Sequence, residues 1–135
     1  MRLSIRGIQE AQKANEQIIA LLRPNSAFGR AVQYATIQAH RYVVAITHVD
    51  SGALRASHRM EVKGLQGRIF IDPTSPGINR RRGRRSSRVA LRPAVYGPME
   101  HARGGSHAFY QRTEREAGVR ISRAAAIGFL AELPR

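Results

Sequence analysis

The chemistry most concentrated in this chain is that of the guanidinium group. Arg80, Arg81, Arg82, Arg84, Arg85, Arg88 and Arg92 place seven permanent positive charges within thirteen residues. Each presents a planar fork of N–H donors that fits phosphate or carboxylate oxygens. Phosphate contacts from such a run carry no base code, because backbone charge is the same at every step. No aromatic residue is interleaved among these arginines, so single-strand base stacking of the usual kind is not expected there. An acidic protein surface is the second natural partner. A solvated loop without a dedicated partner is the plain structural alternative.

Other reactive side chains are dispersed. The five histidines are His40, His48, His58, His101 and His107. His-Glu-x-x-His is absent, His40 and His48 lack a third ligand nearby, and Glu100-His101 stands alone. Surface or packing roles are expected of them, and no metal. The nine acidic residues are scattered. There is no Gly-x-Ser-x-Gly and no phosphate-cradling glycine loop, since Gly104-Gly105 is isolated. The expectation is a chain without catalytic residues or cofactor.

One more segment carries specific chemistry, Val49-Asp50-Ser51-Gly52-Ala53-Leu54-Arg55-Ala56-Ser57. Asp50 can accept hydrogen bonds from the free N–H groups of a new turn. Gly52 permits a tight bend, Leu54 supplies an apolar anchor, and Arg55 projects a charged donor. The expected partner of Arg55 is Asp50 or Glu100, opposite charges that would tie this segment to the sheet.

The chain of 135 residues suits one domain, 1–135, with a modest core, and an apolar fraction of 42% argues for a folded protein. Cysteine is absent, which excludes disulfides and cysteine-based zinc sites. No apolar run is long enough to span a membrane, and the first residues do not resemble a secretory signal. Synthesis in the cytoplasm is therefore expected. The net charge is +14, almost all of it arginine, with Lys13 and Lys63 the two lysines. Such a surface attracts polyanions. Codon bias in a GC-rich genome is a sufficient reason for arginine over lysine, though not for the net charge. Without the seven clustered arginines the chain still carries +7, so the rest of it is basic as well.

The elements that must position these groups read as follows. Residues 2–6 alternate as a short strand ended by Gly7. From Ile8, apolar or small residues at 8, 11, 15, 18, 19 and 22 line one helical face. Arg23-Pro24-Asn25 stops that helix, and Ser26 is placed to cap the next. Phe28, Ala31, Val32, Ala35, Ala39, Tyr42, Val43 and Ile46 then mark a long amphipathic helix with a small-residue centre. Residues 59–63, with Met60 and Val62 inward, and 68–72 read as a β-hairpin about a turn at 64–67. Residues 77–92 read as an extended Arg-rich loop, and 93–97 as a further short strand running into a turn. A last helix is expected over about 106–133, with Phe109, Ala117, Ile121, Ala124, Ala125 and Phe129 buried and Gly118 a point of break or kink. The order β-α-α-β-β-loop-β-α gives an α+β domain. It has an antiparallel sheet with a β-hairpin packed against the long amphipathic helix, together with N-terminal and C-terminal helices and the basic loop.

The segment 49–57 resembles the Val-Asp-Thr-Gly-x-Leu-Arg-x-Ser signature of a bacteriophage family, the head–tail joining (neck, tail-component or tail-completion) proteins of long-tailed phages. Asp50, Ser51 in place of Thr, Gly52, Leu54, Arg55 and Ser57 match position by position. A second segment resembles that family where a tyrosine leads to a glutamate after a variable loop, here Tyr96 and Glu100. Gly97 replaces the usual alanine, His101 the aromatic residue, and Ala102 the glycine that follows. The order of elements agrees with the family over nearly the whole chain. The resemblance implies a structural virion protein in a homo-oligomeric ring, hexameric or dodecameric, at the head–tail junction. Its implied neighbours are a head-side connector or portal-associated ring, the tail tube or tail terminator, and the phage DNA in the channel. A stand-alone basic nucleic-acid-binding protein is the alternative expectation, resting on charge.

Overall fold

A computed structural model of the chain describes residues 5–48, 52–76 and 92–133. The described residues form five α-helices and one hairpin: α1 (Ile5–Leu21), α2 (Ala27–Ile46), α3 (Ala53–Ser57), β1 (His58–Lys63), β2 (Gln66–Ile71), α4 (Pro93–Ala102) and α5 (Phe109–Ala131), with a 3₁₀ turn at Gly105–His107 before α5. The class is α+β and mostly helical, with the hairpin packed on α2.

The main framework is the pairing of α2 with α5. The Arg30 guanidinium meets the Glu132 carboxylate at 3.0 Å near one end, and the Tyr42 hydroxyl donates to Glu116 at 2.8 Å further along, so the two helices run antiparallel. Small residues let them approach. A Cβ added at Gly128 would lie 2.6 Å from the Arg30 carbonyl oxygen, closer than any side chain tolerates. Beside it, the Phe28 and Phe129 rings meet edge to face with centroids 5.1 Å apart. Toward the other end of the pair, Phe109 is buried with Val43 and Leu54, and Ile46, Ile69, Ile71, Tyr96 and Tyr110 pack around them.

The hairpin is antiparallel, with His58 opposite Ile71, Met60 opposite Ile69 and Lys63 opposite Gln66. The loop is thus Gly64-Leu65, and Gln66 and Gly67, expected in the turn, belong to β2. Paired residues share a face, so His58, Met60, Val62, Gly67, Ile69 and Ile71 lie on one side. A Cβ at Gly67 would strike Thr36, which places that side against α2. Met60 and Val62 nevertheless remain exposed, contrary to their expected inward burial. Burial on β1 falls on His58, because its ring faces Phe109 and Tyr110.

Several boundaries differ from expectation. Ile5 and Arg6 open α1 and Gly7 lies within it, so no strand ends there; positions 2–4 lie outside the described residues. Two apolar residues two apart are a short signal, and Ile5 also falls three before Ile8, in phase with the helix. The strand expected at 93–97 is helical. Pro93 occupies the first turn of α4, where its fixed φ is helical and its missing N–H is not needed, after an extended Arg92. The sheet therefore has two strands among the described residues. Ser26 holds the N-cap position of α2, yet its hydroxyl donates back to the carbonyls of Leu21 and Arg23 and closes α1 instead. Gly118 neither breaks nor ends α5, which starts at Phe109 because Gly104 and Gly105 take positive φ before it. Phe109 and Ala117 are buried, whereas Ile121, Ala124, Ala125 and Phe129 are half-buried.

Two glycines of α5 predict opposite responses. Gly128→Val should force α5 off α2 and cost about 1–3 kcal/mol. Gly118→Ala meets no atom within 4 Å and should stabilise by roughly 0.5–1 kcal/mol. Urea denaturation of the two variants checks both signs.

Candidate functional site

Ala53–Ser57 form the short helix α3, which leads directly into the hairpin at His58. Gly52 takes φ 84° at its N-terminus, a left-handed conformation that other residues adopt at a cost. Leu54 then points into the core beside Val43 and Phe109. The Ser57 hydroxyl donates to the Leu54 carbonyl at 2.7 Å, and the Ser57 carbonyl accepts from the Asp72 N–H at 2.8 Å, so α3 is joined to the end of β2. Arg55 lies on the surface and donates to the carbonyls of Ala45 (3.2 Å) and Thr47 (3.1 Å) at the C-terminal end of α2. These oxygens lack helical partners and carry the negative end of the helix dipole, which a guanidinium complements.

α4 docks on this segment through Gly97. A Cβ there would lie 2.4 Å from Ile71 Cδ1 and 2.9 Å from Leu54 Cδ1, so the helix backbone rests against both side chains. Tyr96 packs on the same core. The two segments singled out in the sequence are therefore neighbours, joined through Leu54 and Gly97. The expected Arg55–Glu100 ion pair does not form. Glu100 accepts from Arg103 at 3.0 Å and lies 2.9 Å from His107 Nδ1, while Arg55 is engaged with the end of α2. The reason is reach: Arg103, three residues on along the chain, is the nearer cation. Burial pushes the Glu100 carboxyl up, but Arg103 and His107 outweigh it and hold it below the ordinary value. Asp50, Ser51, Arg80, Arg81, Arg82, Arg84, Arg85 and Arg88 lie outside the described residues. Arg92 is exposed ahead of α4.

A polar relay beneath α3 escaped the sequence reading. Thr47 is buried, and its hydroxyl donates to the Val43 carbonyl at 2.6 Å. That leaves its oxygen to accept from His58 Nε2 at 2.9 Å, which puts the ring proton on Nε2 and makes Nδ1 an acceptor. His58 Nδ1 is buried without a partner. Burial lowers the His58 pKa to about 4, with a smaller contribution from the charge of His40. The signal was the hairpin alternation itself, since His58 shares a phase with Met60 and Val62.

On the surface, Glu116 accepts from Arg112 at 2.9 Å and from Tyr42, and these bonds hold its carboxyl down to about 2. Among the described residues, no three His, Asp or Glu side chains gather as a metal would require, and no helix is long and apolar enough to cross a membrane. Comparison with known protein families, curated proteins and solved structures finds no match. The geometry around α3 is that of an anchor, which fixes the ends of α2, the hairpin and α4 relative to one another.

Two measurements test this anchor. Leu54→Ala should cost about 2–5 kcal/mol through the cavity it leaves, while Arg55→Ala should cost about 1 kcal/mol, both read by chemical denaturation. For His58 the folded pKa is depressed. Its contribution to stability is therefore complete above pH 6.5 and is lost as the pH falls from 6.5 toward 4. The loss is on the order of 2 kcal/mol once screening trims the full shift. Melting temperature followed from pH 7 to 4.5 should fall in the wild type and fall less in His58→Gln; equal slopes would refute the assignment.

Proposed function

We propose that this chain is a non-enzymatic structural subunit of a ring at the head–tail junction of a long-tailed bacteriophage. The observation that carries the reading is the contact of the two segments that resemble the neck family. Leu54 of the first and Tyr96 of the second, both positions that match the family, pack into one core, although the Arg-rich stretch separates them in sequence. A chance likeness at two distant places gives no reason for them to meet at one anchor.

The reading is supported by the surface as well. Large apolar side chains are exposed on α1, α4 and α5, and surfaces of this kind mark contacts with other protein. Subunits that repeat about one axis through head-to-tail contacts close into a ring. Such a ring adapts a head-side connector to the tail tube while DNA passes along the axis. Arginines 80–92 would face either that duplex or an acidic rim of a neighbouring ring, and both partners suit a guanidinium cluster. The site of action in this reading is the virion, after synthesis in the host cytoplasm.

The net charge of +14 favours a second reading, a stand-alone basic protein that binds nucleic acid. Light scattering after gel filtration separates the two. A closed hexamer or dodecamer is expected of the neck subunit. A monomer whose affinity for duplex DNA collapses as salt rises would instead indicate the basic binding protein. Serine in place of Arg80, Arg81 and Arg82 should leave the melting temperature unchanged while impairing head–tail joining or DNA retention. Melting of the isolated domain after that change would show a structural role for the three arginines.

A further inference from the structure

The five histidines, spread over positions 40 to 107 in the sequence, gather at one end of the fold. His40 on α2 donates from Nε2 to the His58 carbonyl at 3.1 Å. The His58 ring stands against Phe109 and Tyr110 at centroid distances of 5.3 and 5.9 Å, and the His101 ring of α4 meets the same pair at 4.9 and 5.4 Å. His107 donates from Nδ1 to Glu100, the neighbour of His101, at 2.9 Å. The His48 ring, just beyond α2, lies 5.0 Å from that of His107. Imidazoles from α2, the hairpin, α4 and the turn before α5 therefore surround the junction where Leu54 meets Phe109.

Histidine is the side chain whose ordinary charge change falls between pH 5 and 8, and this cluster suits the uncharged form. His58 is 2% exposed, and its Nδ1 is buried without a partner, as is Nδ1 of His101. A proton on either ring would set a charge and an unanswered donor among aromatic carbons, which costs free energy unless a carboxylate meets it. Among the described residues Glu100 is the carboxylate that meets a histidine, and Arg103 shares it with His107. A charged His48 would face a charged His107 across 5.0 Å. The other ions at the junction are engaged: Arg55 is held on the end of α2, Arg59 donates to the His58 carbonyl, and Asp72 pairs with Arg59. Tyr110, its hydroxyl pushed up by burial, stays neutral.

Away from this junction the α2–α5 pair is joined by groups that keep their state in that range. Gly128 rests on the Arg30 backbone and Phe28 on Phe129. Glu116, held down to about 2 by Arg112 and Tyr42, keeps its bond to Tyr42.

We infer that the histidine cluster is an acid-sensitive latch: neutral rings keep the hairpin and α4 closed on the start of α5, and their protonation releases both while the rest of the α2–α5 pair stays together. Each proton that the open form binds and the closed form refuses makes opening about tenfold easier per pH unit. For His58 burial sets the sign, since its pKa of about 4 in the closed form lies below the ordinary 6.5, and the effect begins as the pH falls through 6.5. The device needs a single copy of the chain, whatever that copy assembles into.

Hydrogen exchange of the full-length chain, corrected for the intrinsic effect of pH, tests the latch between pH 7.5 and 5, where ordinary carboxylates stay largely charged. The hairpin and α4 should lose protection by roughly tenfold or more at pH 5, while α2 and the body of α5 keep theirs. His58→Gln with His101→Gln, uncharged throughout, should abolish most of this response. His48→Gln, at an exposed position where the fold is not at stake, should move the opening to lower pH. Asp50, outside the described residues, is the carboxylate next to His48 in sequence, and Asp50→Asn should leave the response in place. Protection unchanged at pH 5, protection lost evenly along the chain, a response unaltered in the histidine variants, or one abolished by Asp50→Asn would each overturn the latch.

Discussion

The structure depends on one buried meeting point. Val43 from α2, Leu54 from α3 and Phe109 from the start of α5 come from three distant stretches and exclude water together. Apolar side chains of this size contribute about 1.5–3 kcal/mol each when fully buried. With so few of them in a domain of this length, losing one removes a large share of the net stability. The placement of Leu54 also sets the rest of the anchor. Gly52 can turn the chain only if Leu54 has a pocket to enter, and Gly97 lets α4 close over it. Arg55 and Ser57 then tie the ends of neighbouring elements through backbone carbonyls that would otherwise lack partners.

Much of this was legible in the residues, for physical reasons that differ by element. The three-and-four repeat from Phe28 to Ile46 and the stop at Arg23-Pro24 define α2 without ambiguity, because a long period leaves no other structure consistent with it. The hairpin was legible from alternation on both sides of a glycine-bearing turn. α4 was not. Pro-Ala-Val-Tyr-Gly-Pro combines a proline start with a β-favouring valine and tyrosine, and only the packing of Gly97 on Leu54 and Ile71 decides for the helix. A tertiary contact of this kind overrides local preference. Depth of burial was also misjudged on β1. Alternation gives the side of a sheet on which a residue lies, whereas exposure depends on how far the covering helix extends, so Met60 and Val62 share a face with His58 without sharing its burial.

The anchor was half legible. Leu54 was named as an apolar anchor and is buried; Gly97, which it meets, was read only as the end of a short strand and a departure from the family's alanine. The expected Arg55–Glu100 pair failed because each group has a nearer partner. A guanidinium beside the exposed carbonyls of a helix end competes well with a distant carboxylate, and Glu100 already has Arg103 within a turn. His58 was named with a surface or packing role expected of it, but its Thr47 partner escaped notice, because a sequence displays no difference between a histidine that meets water and one enclosed by Phe109, Tyr110 and a buried hydroxyl.

Charge and apolar exposure, taken together, constrain what this fold is suited to. A net charge of +14 makes indiscriminate contact between copies repulsive. Exposed apolar side chains on α1 and α5 make some contact favourable. The two demands are compatible only where an apolar face is not itself strongly basic, and α1, with its balanced charges, satisfies that condition. Repulsion elsewhere disfavours random aggregation between copies.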